Sequence, residues 1–229
     1  PAATVPQSPQ TNPRNIMSFT PLPIELVRDL DRAAGAPIVE LGCGEGRLTR
    51  CLRTLVPGVI GLDLQPFPTG IDIVADALIP PLRPASIAVI VQGNLFRHLD
   101  DGLRGLDAWR TALTTTGTLW ILEDEPDMDD GPGALYRDLQ RCLDDLVPQR
   151  RGALMSPARF RNALSSESGW TFGRVRNREA SDSLHLLLTG LDAWAGTTPE
   201  AARIAAAIRA DGLDYGHYWW ARWSVEDTS

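Results

Sequence analysis

The chain alternates between short apolar runs and longer amphipathic stretches. Ile38–Leu41, Val59–Asp63, 71–75 and 87–91 are apolar runs bounded by glycine, proline or polar residues. Runs this short and rich in β-branched residues predict buried strands. Residues 118–122, announced by Gly117, predict a fifth. Between the strands the period changes. Leu48, Cys51, Leu52 and Leu55 recur at helical spacing over 46–55, and Arg47, Arg50 and Arg53 fall off that stripe. Ile24, Leu26, Val27, Leu30 and Ala33–Ala34 predict an earlier helix ending at Gly35. Residues 102–113 predict a later one. Strands alternating with helices predict βα units and a mostly parallel sheet covered on both faces.

The second half follows a looser pattern. Leu135, Leu139, Leu143 and Leu146 give one apolar side to a helix over 134–147. Ser156-Pro157 opens another helix to about 164, with proline at its first turn. Residues 170–178 are strand-like. Leu184, Leu187, Leu188, Leu191 and Trp194 form a helical stripe, and 199–210 predict a second helix, stopped near Gly212. Residues 215–225 predict the last strand. Six prolines in residues 1–23 exclude regular helix or central strand there and predict an extended arm. With neither internal repeats nor a linker, residues 24–229 read as one domain.

Composition narrows the chemistry. All 22 basic residues of this 229-residue chain are arginine. A P-loop, a kinase strand lysine and Schiff-base catalysis all require a lysine, so none can be built by the usual route. A net charge of −7 argues against nucleic acid as the main partner, which would need a basic footprint. Three cysteines, Cys43, Cys51 and Cys142, are too few and too odd in number for a disulfide framework. They point to a reducing compartment. The longest internal uncharged run, residues 84–96, has 13 residues and includes Gln92 and Asn94. It is too short and too polar to span a bilayer, so no membrane partner is expected. No basic and apolar leader is visible at the N-terminus, and the expected location is cytoplasmic.

The segment Glu40-Leu41-Gly42-Cys43-Gly44-Glu45-Gly46 joins a predicted strand to a predicted helix. Glycines let the backbone turn tightly there and approach a ligand, and the helix start presents unpaired N–H groups. A dinucleotide site uses G-x-G-x-x-G; the spacing here is G-x-G-x-G. Glu40 and Glu45 flank the loop. They would repel a pyrophosphate and favour an ammonium or sulfonium. Asp63 ends the second strand 17 residues after Gly46, where a carboxylate can accept both ribose hydroxyls. Asp76, before Ala77, follows the third strand and can accept an exocyclic amine. Gln92-Gly93-Asn94 ends the fourth. Open parallel sheets bind ligands outside the carboxyl ends of their strands, so these segments share one crevice.

These residues resemble the class I S-adenosylmethionine-dependent methyltransferases. Glu40–Gly46 is similar to their E/D-x-G-x-G-x-G motif, Asp63 to the acid of the second strand, and Asp76-Ala77 to the adenine-contacting pair. Thr114-Thr115-Thr116-Gly117 stands where the family usually has a two-glycine turn before the fifth strand. The resemblance covers roughly residues 24–125 well and the rest loosely. It implies a Rossmann-like sheet of about seven strands in the order 3-2-1-4-5-7-6, with the last antiparallel and helices on both faces. It also implies S-adenosylmethionine as cofactor, S-adenosylhomocysteine as product, and a site made of Glu40, Gly42, Cys43, Gly44, Gly46, Asp63, Leu64, Asp76, Ala77, Gln92, Gly93 and Asn94. The family usually joins strands six and seven by a hairpin. The longer segment here predicts a helical lid at about 181–212.

The chain has Gln92-Gly93-Asn94-Leu95 where amino-methylating nucleic-acid enzymes carry [N/D]-P-P-[Y/F], and it lacks the Pro-Cys of cytosine C5 enzymes. The expected acceptor is therefore a small molecule. His98, Glu123 and His217 are the candidate bases. Each has a plainer reading, as a surface histidine or a residue of the solvated acidic run 123–130. That run lacks the spacing of a calcium loop, and no metal site is expected. Arg174, Arg176 and Arg178 alternate on one strand face, either to bind an anion or to protect a sheet edge. Two other functions stay open at this stage. One is a module that holds the cofactor without turnover. The other is a nicotinamide dehydrogenase.

Overall fold

The apolar runs form the strands of one sheet. A computed structural model describes residues 21–67, 70–99, 101–125, 134–146, 157–176, 188, 191–192, 198–213 and 216–225. In chain order the elements are α1 (Ile24–Arg32), β1 (Ile38–Leu41), α2 (Arg47–Leu55), β2 (Val59–Asp63), β3 (Ile73–Val74), β4 (Ile87–Gly93), α3 (Leu106–Ala112), β5 (Leu113–Glu125), α4 (Ala134–Leu146), α5 (Pro157–Ala163), β6 (Trp170–Arg176), α6 (Pro199–Asp211) and β7 (His217–Ser224). The seven strands are ordered β3-β2-β1-β4-β5-β7-β6. Neighbours up to β5 are parallel, and β7 runs antiparallel to β5 and to β6. This is the order and sense that the resemblance implies.

Two apolar cores flank the sheet. On one face Val39, Leu41, Ile90, Leu119 and Ile121 meet Leu106 and Trp109 of α3 and Phe160 of α5. On the other, Ile38, Val89, Val91, Trp120 and Leu122 meet Leu26 and Leu30 of α1 and Leu48 and Leu52 of α2. Strands buried on both faces explain why they appear in the sequence as continuous apolar runs rather than alternating ones. A third core lies between α4 and α6, where Tyr136, Leu139 and Cys142 meet Ala201, Ile204 and Ile208. No described helix is long and apolar enough to cross a membrane.

Several boundaries differ from the expectation. The helix expected over 102–113 is a 3-10 turn at Gly102–Gly105 followed by α3. Side chains at Gly102 and Gly105 would strike the rings of Phe96 and Trp109, so ring packing sets this stretch. β5 begins at Leu113 rather than 118, because Leu113 pairs with Ile87 across a register shift in β4. β3 shrinks to Ile73–Val74. α1 turns Ile24 outward, 56% exposed, and buries Asp29 instead. The proposed arm lies outside the described residues up to 20, and so does most of the 184–194 stripe. Within the expected lid, α6 is described, with Thr198 as its cap and Pro199 in its first turn.

Candidate active site

The carboxyl ends of β1, β2 and β4 open on a cleft of about 740 Å³, within the usual range for a small-molecule site. The loop from Gly42 to Gly46 forms one wall. It turns through left-handed backbone at Gly42, Gly44 and Gly46, with φ of 67°, 53° and 72°, which favours glycine at each. Gly46 has a second constraint. A Cβ there would lie 2.5 Å from the Cα of Gly70, so the loop and the segment before β3 are in backbone contact. Gly44 differs, because a Cβ there would meet nothing within 4 Å. Its space belongs to the cleft.

Asp63 joins the loop to the end of β2. Its Oδ2 accepts the Gly44 N–H at 2.7 Å and its Oδ1 accepts the Gln65 N–H at 2.8 Å. A carboxylate has about four acceptor sites, so this leaves capacity for ligand hydroxyls. Asp76 lines the cleft and accepts the Leu78 N–H at 2.8 Å. The next residue, Ala77, is held by its carbonyl, which accepts the indole N–H of buried Trp109 at 2.6 Å. Leu64 and Phe67 add apolar surface, 60% and 37% exposed.

Glu40 lines the deep end and is 2% exposed. Burial pushes its carboxyl up to about 8; the Thr49 hydroxyl hydrogen bond partly offsets this, and the charge of Asp63 adds to it. Cys43 is buried, and burial together with the nearby carboxylates raises its thiol to about 12. That makes it a packing group rather than a nucleophile.

Ten of the twelve expected cofactor-site residues line the cleft: Glu40, Gly42, Cys43, Gly44, Asp63, Leu64, Asp76, Ala77, Gly93 and Asn94. Gly46 and Gln92 are not among the cleft residues. Gln92 is fully buried and its Oε1 accepts the Leu95 N–H at 3.2 Å, shaping the turn after β4. Of the expected bases, exposed His98 is on the cleft wall. Glu123 is fully buried, and its Oε1 accepts the Phe96 N–H at 3.0 Å, which supports the turn that carries His98. His217 pairs with Glu125 and Arg176 across the sheet and is not among the cleft residues. Glu45, read from the sequence as a carboxylate flanking the loop, is also on the wall, and sequence reasoning missed Arg47, Leu48, Gln65, Phe67, Leu95 and Leu99, which complete it. Arg47 had a signal, since it opens the helix after the glycine loop. The others had none beyond proximity.

Solved structures of similar shape share this architecture. Phosphoethanolamine N-methyltransferase 2 of Haemonchus contortus, in complex with S-adenosylhomocysteine, matches with TM-score 0.51 and 14% identity over 88% of this chain. Geranyl diphosphate C-methyltransferase of Streptomyces coelicolor A3(2) matches with TM-score 0.51 and 12% identity over 88% of this chain and 75% of its own. The chain has the class I methyltransferase fold. It spans about half (52%) of the Haemonchus protein, and 96% of the MccD protein, which it matches with TM-score 0.54 and 14% identity. No protein-family model and no curated protein matches it in sequence. The methyltransferase fold explains why the cleft lies where it does. The strand order reverses between β1 and β4, and the crevice at that reversal is the ligand site of open α/β sheets.

The arginines of β6 lie elsewhere. Arg174 pairs with Glu125, Nε to Oε2 at 2.7 Å, and shares a face with Arg176, Trp170 and Phe172. β6 is the last strand of the sheet, so these charges stand on an edge. Arg178 lies outside the described residues, as does the acidic run beyond Glu125.

Proposed function

We propose that this chain binds S-adenosylmethionine in the cleft and transfers its methyl group to a small-molecule acceptor. The observation that carries the reading is the convergence of the glycine loop, Asp63 and Asp76 on one cleft at the strand-order reversal. Asp63 would take the ribose hydroxyls. Asp76 and the fixed Ala77 backbone would take the adenine, with Leu64 and Phe67 against the ring. The amino-acid end would lie along the glycine loop, its ammonium towards Glu40 and its carboxylate towards Arg47. Gly93 and Asn94, with Gln92 behind them, would face the sulfonium side.

When bound, this cofactor supplies an already activated methyl group for in-line displacement. The protein then has to align the acceptor, exclude water and, for an oxygen or nitrogen nucleophile, take up a proton. His98 stands on the cleft wall and would take up that proton. The reading of the chain as a nicotinamide dehydrogenase loses support on two counts. The loop is G-x-G-x-G between carboxylates, and an antiparallel β7 lies between β5 and β6, whereas the dinucleotide fold runs 3-2-1-4-5-6.

Thermal shift tests the cofactor directly. At a hundredfold excess over its dissociation constant, S-adenosylhomocysteine is expected to raise Tm by about 5–10 °C, and NAD to leave it unchanged. Stabilisation by NAD alone would overturn the reading. Tight binding of S-adenosylhomocysteine with no methyl transfer to any acceptor in metabolite extracts would instead assign a cofactor-holding module.

A further inference from the structure

We propose that Asp124 is a positioning residue that couples the cleft to the helical unit formed by α4 and α6. The inference rests on the cofactor reading above. Asp124, next to last in β5, is 5% exposed. Its Oδ2 accepts two donors from different elements: Asn94 Nδ2 at 2.9 Å and the Tyr136 hydroxyl at 2.8 Å. The Asp124 N–H in turn donates to Asn94 Oδ1 at 3.0 Å. Asn94 is thus clamped through both ends of its amide.

The clamp acts on an unusual residue. Asn94 follows β4, lines the cleft and has φ of 54°, in the left-handed region that few residues other than glycine adopt. Such backbone persists where its surroundings hold it, and it clusters at ligand sites. The reciprocal pairing with Asp124 supplies the hold.

On the other side, Tyr136 belongs to α4 and is 5% exposed. Its helix shares a core with α6, through Leu139 and Cys142 against Ala201, Ile204 and Ile208, separate from the two cores on the sheet. The cleft wall and the seat of α4 therefore share one carboxylate oxygen. A ligand that fixes the Asn94 backbone fixes that carboxylate. It thereby stabilises the Tyr136 hydrogen bond and the helices behind it, which is a coupling free energy between two sites.

Hydrogen exchange with and without S-adenosylhomocysteine, alongside calorimetric binding, tests this on the full chain. In the wild type, saturating ligand is expected to slow exchange in α4 and α6 by about threefold or more. Tyr136→Phe is expected to bind the ligand within about threefold of wild type but to lose the response in α4 and α6. Asn94→Gly tolerates the positive φ while deleting the clamp, and at saturating ligand it is expected to lose the same response. A merely structural Tyr136 would lower protection equally with and without ligand. The proposal is overturned if bound ligand leaves wild-type α4 and α6 unchanged, or if either variant keeps the full response. A wild type that fails to bind S-adenosylhomocysteine overturns the cofactor reading itself, and this inference with it.

Discussion

Asp63 and Glu40 are both carboxylates of the cleft, and their surroundings give them different work. Asp63 accepts backbone N–H groups from two segments and is half-buried. It can therefore take further donors. Asp63→Ala should abolish most of the S-adenosylhomocysteine shift in Tm, and an unchanged shift would sink the ribose assignment. Glu40 lies at the deep end of the cleft and is almost fully buried. A carboxyl raised from 4.5 to about 8 favours its protonated form in the folded state. Folding then takes up a proton between those values. Its stabilising share is complete below about 4.5 and is lost as pH rises through about 8. Glu40→Gln removes the titration, so urea midpoints of wild type should fall relative to the variant across that window. Parallel pH profiles for the two proteins would contradict the burial argument.

The glycine loop and α2 show how one element serves both fold and ligand. Gly46 touches the backbone of Gly70, while Gly44 faces open space. Gly46→Ala should destabilise the protein by about 1–3 kcal/mol, since it adds a clash to a left-handed backbone. Gly44→Ala should cost only about 1 kcal/mol, yet it should weaken S-adenosylhomocysteine binding more than Gly46→Ala does. Chemical denaturation and calorimetry on the two variants separate these effects. Equal binding losses would mean that the cleft does not use the space at Gly44. The loop was legible in the sequence because its requirement is local: glycine spacing and flanking charge are read within seven residues. β5 was only half legible. Its apolar stretch starts at Thr118, but its pairing starts at Leu113, and the partner Ile87 is distant in the chain.

At the scale of the molecule, the first described helix and the last strand are tied through Asp29. Its Oδ2 accepts the Trp120 indole N–H at 3.0 Å and Arg222 Nε at 2.8 Å, joining α1 to β5 and β7 across 193 positions. Asp29 is 6% exposed and Arg222 17%. Removing one member of a buried pair leaves the other charge desolvated. Asp29→Ala should therefore cost about 3 kcal/mol, read as a drop in denaturation midpoint with S-adenosylhomocysteine affinity unchanged. A loss below about 0.5 kcal/mol would place the pair among weak surface bridges. The hydropathy pattern expected Ile24 on the buried side of α1 and gave no reason to bury an aspartate. Asp29 is inside because two donors from distant strands meet it there.

By itself the sequence determined the alternation of strands and helices, the buried character of the parallel strands and the place of the cleft. These follow from hydrophobic period and glycine spacing, which act over a few residues. Tertiary structure decided which acids face the cleft and which support it. Glu123 and His217 are candidate bases in the sequence; the fold buries the first, which accepts the Phe96 N–H, and pairs the second with Glu125 across the sheet. It also decided that Trp109 holds Ala77 and that Asp124 holds both Asn94 and Tyr136. Those contacts depend on donor and acceptor geometry between segments far apart in the chain, and neither period nor local spacing encodes it.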